Sequence, residues 1–450
     1  MKNIAKEGVK EIRGILGRIK RRDFSGNSGQ AIKNSGYQLS TTLVAKGGSL
    51  LFTIILARLL LPELFGLYSL ALSTIIIFSH LSNLGISQTL IKFISSSKNR
   101  KKSKEYFSYL LKCKIILSLI SATILVIFAK LISKNYYNKP IFLALIAGSL
   151  YILISGITPI FNGLFQAANN FKKKFHTEII FQISRLTLVP IGILLTINYI
   201  SSEGLLSIVF IALSISFLVT LTFIAISARK QIPYLKLKSK GLNKEEKTKI
   251  NKFIIALSAM TISGVLFGYI DIIILGRYVG AEFIGFYRAA FSLITSIVPL
   301  ITFSGALFPL FSRLKGRQLK RGFKKSMRLT AIFAIPVIIL TSIFAPLIVN
   351  IIFGTQYFQA ANIVRIFAIL IFILPLTSIY SSFLISQNKP KIVAQSLIIS
   401  TTINIILNYI FIISLLPFGQ AQAVYGAATA TIISKVIYLA ILAYRNKAMG

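Results

Sequence analysis

The chain has 450 residues, of which 55% are hydrophobic and only 14% charged, with a mean hydropathy of +0.76. A soluble domain carries about 25% charged residues, so the composition excludes a soluble globular class and indicates a multi-span membrane protein. The net charge of +40 is scattered over short loops with no binding module, which excludes a nucleic-acid role, and a single Cys113 excludes an intramolecular disulfide.

Residues 1–36 are not a signal peptide, because no apolar core follows the early lysines. Ile4, Val9, Ile12, Leu16 and Ile19 recur at helical spacing, with lysines and arginines between them. The segment reads either as a helix on an anionic membrane surface or as a solvated basic tail. Twelve apolar segments follow, near 40–61, 67–91, 108–131, 141–166, 177–198, 204–228, 253–275, 286–311, 329–352, 362–386, 392–416 and 423–444. Each suits a bilayer core that takes about 20 residues of helix. Helices are the expected form, because lipid cannot satisfy exposed backbone groups. The loop 229–252, with Pro233, Gly241 and nine basic residues, is the longest internal linker. It divides a first lobe, 37–228, from a second, 253–444, and 445–450 forms a tail.

The joint after the first span, Arg58–Tyr68, reads R-x4-E-x2-G-x-Y, and so does the joint after the seventh, Arg277–Tyr287. The offset of 219 residues also pairs Ser73 with Ser292, Leu81 with Leu300, Asn169 with Asn388 and Lys172 with Lys391. The chain is therefore two related halves. Each holds six spans, an even number, so both enter the membrane from the same side as parallel repeats. Of the 51 lysines and arginines, 41 fall in the N-terminus, 92–114, 172–174, 229–252, 313–328, 389–391 and 445–447. These segments share one side if the spans alternate. The excess puts that side, and both termini, in the cytoplasm of a cell-membrane protein. The charge is thus mainly a topology signal and an attraction for acidic head groups.

Groups for covalent chemistry are scarce. There are two aspartates, Asp23 and Asp271, and two histidines, His80 and His176, with no metal-ligand cluster, cysteine pair or P-loop. Neither a catalytic role nor a cofactor is expected. What stands out is basic charge in or near the spans: Lys46, Arg58, Arg185, Arg277, Arg288, Arg365 and Lys435, against Asp271, Glu63, Glu282 and Glu178. A charge at the bilayer centre costs about 2.5–3.5 kcal/mol on insertion scales, so such groups face a cavity or a partner. Arg58, Arg277 and Arg288 lie near span ends, where snorkelling to head groups is the plain alternative. Glu63 and Glu282 have the alternative of pairing with them or capping the next helix. Lys46, Arg185, Asp271 and Lys435 sit deeper. Asp271 and Glu178 are the acids deep enough for ion coupling, and Asp271 has the second reading of a structural partner to a nearby arginine. In span eight, Arg288, Ser292, Thr295, Pro299 and Thr302 share one helix face. Shifted by the repeat, that face is Ser69, Ser73, Ile76, His80 and Asn83 of span two. These stripes read either as close helix packing or as the wall of a wet cavity.

The two joints, Asp271-x3-Leu275-Gly276 before the second of them, and the 6+6 plan resemble the polysaccharide flippases. These are the Wzx-like exporters of the multidrug/oligosaccharidyl-lipid/polysaccharide superfamily. The resemblance covers about residues 36 to 444. It implies an all-α fold of twelve transmembrane helices in two six-helix lobes, around a central cavity lined largely by spans one, two, seven and eight. It implies transfer of a polyprenyl-diphosphate-linked oligosaccharide from the cytoplasmic to the outer leaflet by alternating access. An anionic diphosphate needs counter-charges, and arginine offers it bidentate contacts. Lys46, Arg58, Arg277, Arg288, Arg365 and Lys435 are accordingly the candidate cavity cations. Ser69, Ser73, His80, Asn83, Ser292, Thr295 and Thr302 are the candidate sugar-facing groups. With no ATP-binding motif, an ion gradient or substrate consumption must supply the energy. Two alternatives stay open: a peptidoglycan- or teichoic-type lipid precursor as cargo, and an ion-coupled multidrug exporter, which would need intramembrane carboxylates that this chain has few of. The expected partners are the lipid-linked substrate, membrane lipids, and a polysaccharide polymerase and glycosyltransferases, with the chain acting as a monomer.

Overall fold

The computed structural model describes residues 26–97, 99–238, 241–301 and 316–447, and every regular element among them is helical. The basic N-terminal stretch up to residue 25, Thr302 and the first part of the 313–328 loop lie outside the described residues.

Among the described residues, ten helices are long and apolar enough to cross a membrane, or up to eleven if one bent pair counts as a single span. The longest, Lys33–Ser95, covers 63 residues. At about 1.5 Å per residue that is far more than a hydrocarbon core of about 30 Å accepts, so it makes two crossings. The break falls in the first joint. Helix α1 (Gly26–Leu81) leaves helical geometry at Leu61, φ 60, and the next residue, Pro62, has no amide to carry the ladder on. The second crossing is itself interrupted. Leu84 and Gly85 take positive φ, 38 and 83, before α2 (Ile86–Ser95) completes it. The remaining crossings of the first half are α3 (Arg100–Lys130) with a π-helical turn at Leu131–Tyr136, α4 (Phe142–Ala167), α5 (Phe171–Thr196) and α6 (Ser202–Gln231). The second half holds α7 (Lys244–Tyr278), α8 (Ala281–Ile301), α9 (Gly316–Ile343) and α10 (Ala345–Phe353). Then come α11 (Ala360–Phe367) and α12 (Leu370–Ser386), bent by 40° into one broken crossing, and finally α13 (Pro390–Leu415) and α14 (Gln420–Lys447).

Within the first half α4 packs on α3 and α6; within the second α13 packs on α14 and α7. The halves meet where α1 lies along α7 and α8. One apolar core, from Phe52 and Leu56 to Tyr287 and Phe367, runs through both. The repeat is visible in the backbone. Asn169 and Asn388, matched by the 219-residue offset, both adopt left-handed geometry, φ 56 and 59. Asparagine tolerates that geometry where a helix must stop.

The two ends of the bundle differ. At the end carrying the basic loops, Lys102 donates to Glu246 at 2.6 Å and Tyr109 to Asn251 at 2.9 Å, tying α3 to the entry of α7. The hydrogen bond from Lys102 holds the Glu246 carboxyl below the usual carboxylate range. The linker is tethered here: Ile232 and Leu242 are buried against the first half, and Asn243 with Glu246 forms a capping box that starts α7. At the other end the two repeated joints meet. A Cβ added to Gly66 would land on the Ala281 carbonyl, and one added to Gly285 on the Pro62 carbonyl. The backbones touch there because neither residue has a side chain.

Candidate functional site

Between the halves lies a cavity of about 170 Å³. Its walls begin on α1, with Ser49, Phe52 and Thr53 before the joint and Phe65, Tyr68, Leu72 and Ile76 after it. The first half adds Tyr151 of α4, Phe181 and Arg185 of α5, and Leu213 and Phe217 of α6. The second half adds Tyr269 of α7 and Arg288 of α8. Spans one, two, seven and eight therefore do line it, and spans four to six contribute more than the sequence led one to expect.

Among the described residues, two guanidinium groups and no carboxylate line this space. Arg185 is held from several directions. Its Nε donates to Gln182 Oε1 at 2.9 Å and an Nη donates to Ser49 Oγ at 3.0 Å, while its plane stands 4.8 Å from the Phe52 ring and 5.0 Å from the Phe181 ring. Gln182 in turn donates to Glu178 at 2.5 Å. Glu178 is thus outside the lining but at the start of the chain of bonds that orients Arg185. Arg288 lies 5.6 Å from the Tyr269 ring centroid and has no hydrogen-bond acceptor among the described residues, so its five donors remain available. Tyr68, Tyr151 and Tyr269 bring hydroxyls to the same walls. The arrangement can bind an anion bidentately and hydrogen-bond or stack a polar, ring-bearing group beside it.

Of the six cations expected in the cavity, Arg288 is in its lining. Lys46 is exposed on α1 and is not part of the lining. Arg58 reaches the end of α10, donating to the carbonyls of Ile352 at 2.9 Å and Ile351. Arg277 donates to the Tyr136 carbonyl at 3.0 Å. Both sit at the joint end, where a carbonyl at a helix terminus is the natural acceptor for a guanidinium. Arg365 is exposed and bonds Ser342 O at 3.3 Å and Asn362 Oδ1 at 2.9 Å. Lys435 is buried inside the second half with its Nζ 4.0 Å from the Phe267 ring and 3.5 Å from the Phe267 carbonyl. Arg185 replaces these in the site. Its depth in span five was legible, but its partner Ser49 is 136 residues away in sequence, and no local pattern announces that contact.

The polar stripes divide. Ser69 and Ser73 are buried and bond back to Phe65 O and Ser69 O, both at 2.7 Å, so they serve packing and not the cavity. Thr295 also bonds back along its helix, to Phe291 O at 2.8 Å. Ser292 donates across the halves to Thr53 at 3.3 Å. Asn83 accepts from Ser87 at 3.2 Å and from the buried Lys114 at 3.3 Å, and His80 is half-buried one turn beyond Ile76. Asp271 has no arginine within ion-pair distance among the described residues. It is buried, accepting from Tyr287 and, at 3.5 Å, from Thr431.

The sequence model of a family described as "Polysaccharide biosynthesis protein" matches residues 55–362. A curated relative from Haloferax volcanii, "Probable low-salt glycan biosynthesis flippase Agl15", is 27% identical over 180 residues, 39% of this chain and 36% of its own. The chain thus spans about a third of that relative's length. Among solved structures, "Lipid II flippase MurJ, inward closed conformation" superposes with a TM-score of 0.72 at 15% identity, over 90% of this chain and 86% of that one. An inward-facing multidrug transporter of the MATE family and MOP superfamily does so with 0.63 at 13% identity, over 92% and 95%. At such identities the likeness shows the fold alone: an all-helical two-lobe architecture.

Proposed function

Because the chain belongs to the polysaccharide biosynthesis protein family, matched over residues 55–362, we propose that it is a flippase for polyprenyl-diphosphate-linked oligosaccharides, carrying a surface-polysaccharide unit across the membrane by alternating access. The observation that carries this reading is the cavity wall in which Arg185 and Arg288 stand among tyrosines, with no carboxylate in the lining among the described residues. Arg288 has its donors free for phosphate oxygens. Arg185, held by Gln182 and Ser49, keeps part of its fork for the same group. The tyrosine hydroxyls and ring faces suit the adjoining sugar. A cationic drug would meet two like charges and no counter-charge here, which disfavours an exporter of that kind.

The basic segments orient the protein with its loop end and both termini in the cytoplasm, and the joint end outside. Ion coupling is assigned to Asp271, the one acid that is buried among the described residues. A polysaccharide polymerase and glycosyltransferases are the expected neighbours of a monomeric carrier in the cell membrane.

The test is transport of lipid-linked oligosaccharide in vesicles, with the amount of folded protein measured for each variant. Arg288→Ala should cut the rate by at least about tenfold with near-normal protein levels. Arg288→Lys should restore only part of it, since an ammonium keeps the charge without the planar fork. If Arg185→Ala with Arg288→Ala transports at the parent rate, the cationic-cavity mechanism is wrong.

A further inference from the structure

The two joint arginines were expected in the cavity and are not there; what they hold instead repeats across the two halves. Arg58 of the first half donates to Ile351 and Ile352 at the end of α10 in the second. Arg277 of the second half donates to Tyr136 at the end of the α3 crossing in the first, at 3.0 Å, and lies 5.1 Å from the Tyr136 ring. The residue just before each arginine takes part as well. The Ala57 carbonyl accepts from the Tyr357 hydroxyl at 2.9 Å, and the Gly276 carbonyl accepts from Lys139 Nζ at 2.7 Å. Ala57 and Gly276 are 219 residues apart, the offset of the repeat. Each half therefore grips the other half's third crossing, and the loop after it, with the same two positions of the same motif. Gly66 and Gly285, also 219 apart, close the centre by backbone contact.

This ring of contacts roofs the cavity. Phe65, a wall residue, packs against the Tyr357 ring at 6.2 Å, and Phe286 meets the same ring from the other half at 6.1 Å. No side chain separates Gly66 from Gly285, so nothing can pass between them while the backbones touch. The bonds are few, lie at the rim, and accept on backbone carbonyls, which can return to water when the halves part.

We propose that the duplicated joint is a two-part latch that seals the outer end of the cavity, with Arg58 and Arg277 as equivalent positioning residues that set how much of the population is sealed. The proposal rests on the transporter reading and its orientation. Opening outward requires both grips to release and Gly66 to leave Gly285. The arginines act on the equilibrium between conformations and do not touch cargo.

The experiment needs no cargo, so it fails or succeeds independently of the transport assay. In a Cys113→Ser background, a reporter Leu72→Cys is placed in the cavity wall, and membrane-impermeant maleimide is applied from each side separately. With the latch intact, outside labelling should be slow. Arg58→Ala and Arg277→Ala should each raise the outside rate several-fold, and together by at least about tenfold. They should also lower the rate from the cytoplasmic side, because population moves from one opening to the other. Tyr357→Phe, which removes one hydroxyl and keeps the ring, should give a smaller shift in the same direction. An outside rate unchanged in the double variant overturns the latch. So does a rise from both sides at once, which would mean general loosening of the fold.

Discussion

Asp271 shows what a single residue's sequence context can and cannot say. Its depth was legible, and an arginine was the partner that composition suggested. Helix geometry supplies different donors. Tyr287 is on α8 and Thr431 on α14, and both reach the carboxylate. Lys435 lies one turn from Thr431 on α14, with its Nζ at Phe267, one turn from Asp271 on α7. The buried cation and the buried anion thus share the interior without a direct bridge. Removing the Tyr287 hydroxyl takes away a charge-assisted bond, which is worth about 1.5–3 kcal/mol. Tyr287→Phe should lower stability by about that amount in thermal unfolding of the purified protein. Asp271→Asn leaves Lys435 without its counter-charge, so adding Lys435→Met should recover part of the loss. If the double variant is as unstable as the sum of the singles, the two groups are not coupled. Arg185 was legible only as a deep charge, because its anchor Ser49 lies on another helix, and the aromatic faces around it come from α1 and α5 together.

The helical form was readable because apolar runs of span length admit few other forms in lipid. The interruptions of the helices were not. The second span reads as one apolar run from 67 to 91, yet Gly85 takes φ 83 and packs against Leu257. That break answers a neighbour in the other half, which a local pattern does not contain. The tenth span, read as 362–386, is likewise two helices bent by 40°. The joints are the opposite case. Arginine, glutamate, glycine and tyrosine at fixed spacing marked them as special, and the close approach of backbones explains why glycine is the residue required. A valine at 66 or 285 would drive its side chain into a backbone carbonyl that cannot yield without separating α1 from α8. Gly66→Val or Gly285→Val should sharply reduce the amount of folded protein in the membrane, measured by detergent extraction and size-exclusion chromatography. Normal accumulation of both variants would show that the fold tolerates the added bulk by parting the joint, as it parts when the latch opens.

The whole molecule is arranged by its charge. Among the described residues, basic segments that alternate along the sequence come together at one end of the bundle, where Lys102 meets Glu246, Asn170 meets Gln231 and Arg445 meets Gln395. The joints, Lys139 and Tyr357 gather at the other. That separation follows from crossings that alternate in direction and from two related halves, which the repeat encodes. The assembly of the cavity from spans one, two and four to eight does not follow, since it depends on how the halves dock. The charge asymmetry makes a prediction about sidedness. Loops rich in lysine and arginine are retained in the cytoplasm during insertion, and their charge then holds that face against anionic lipid, by about 1 kcal/mol for each residue near the surface. In a Cys113→Ser background, single cysteines at Ser97 and Gln387 should be labelled by impermeant maleimide only after the cytoplasmic face is opened. Cysteines at Asn138, Ser202 and Gly354 should be labelled in intact cells. Labelling of Ser97→Cys from outside would reverse the orientation. The latch would then face the cytoplasm, while the Arg185 and Arg288 cavity, which lies between the two ends, would keep its chemistry and change only the side from which it is sealed.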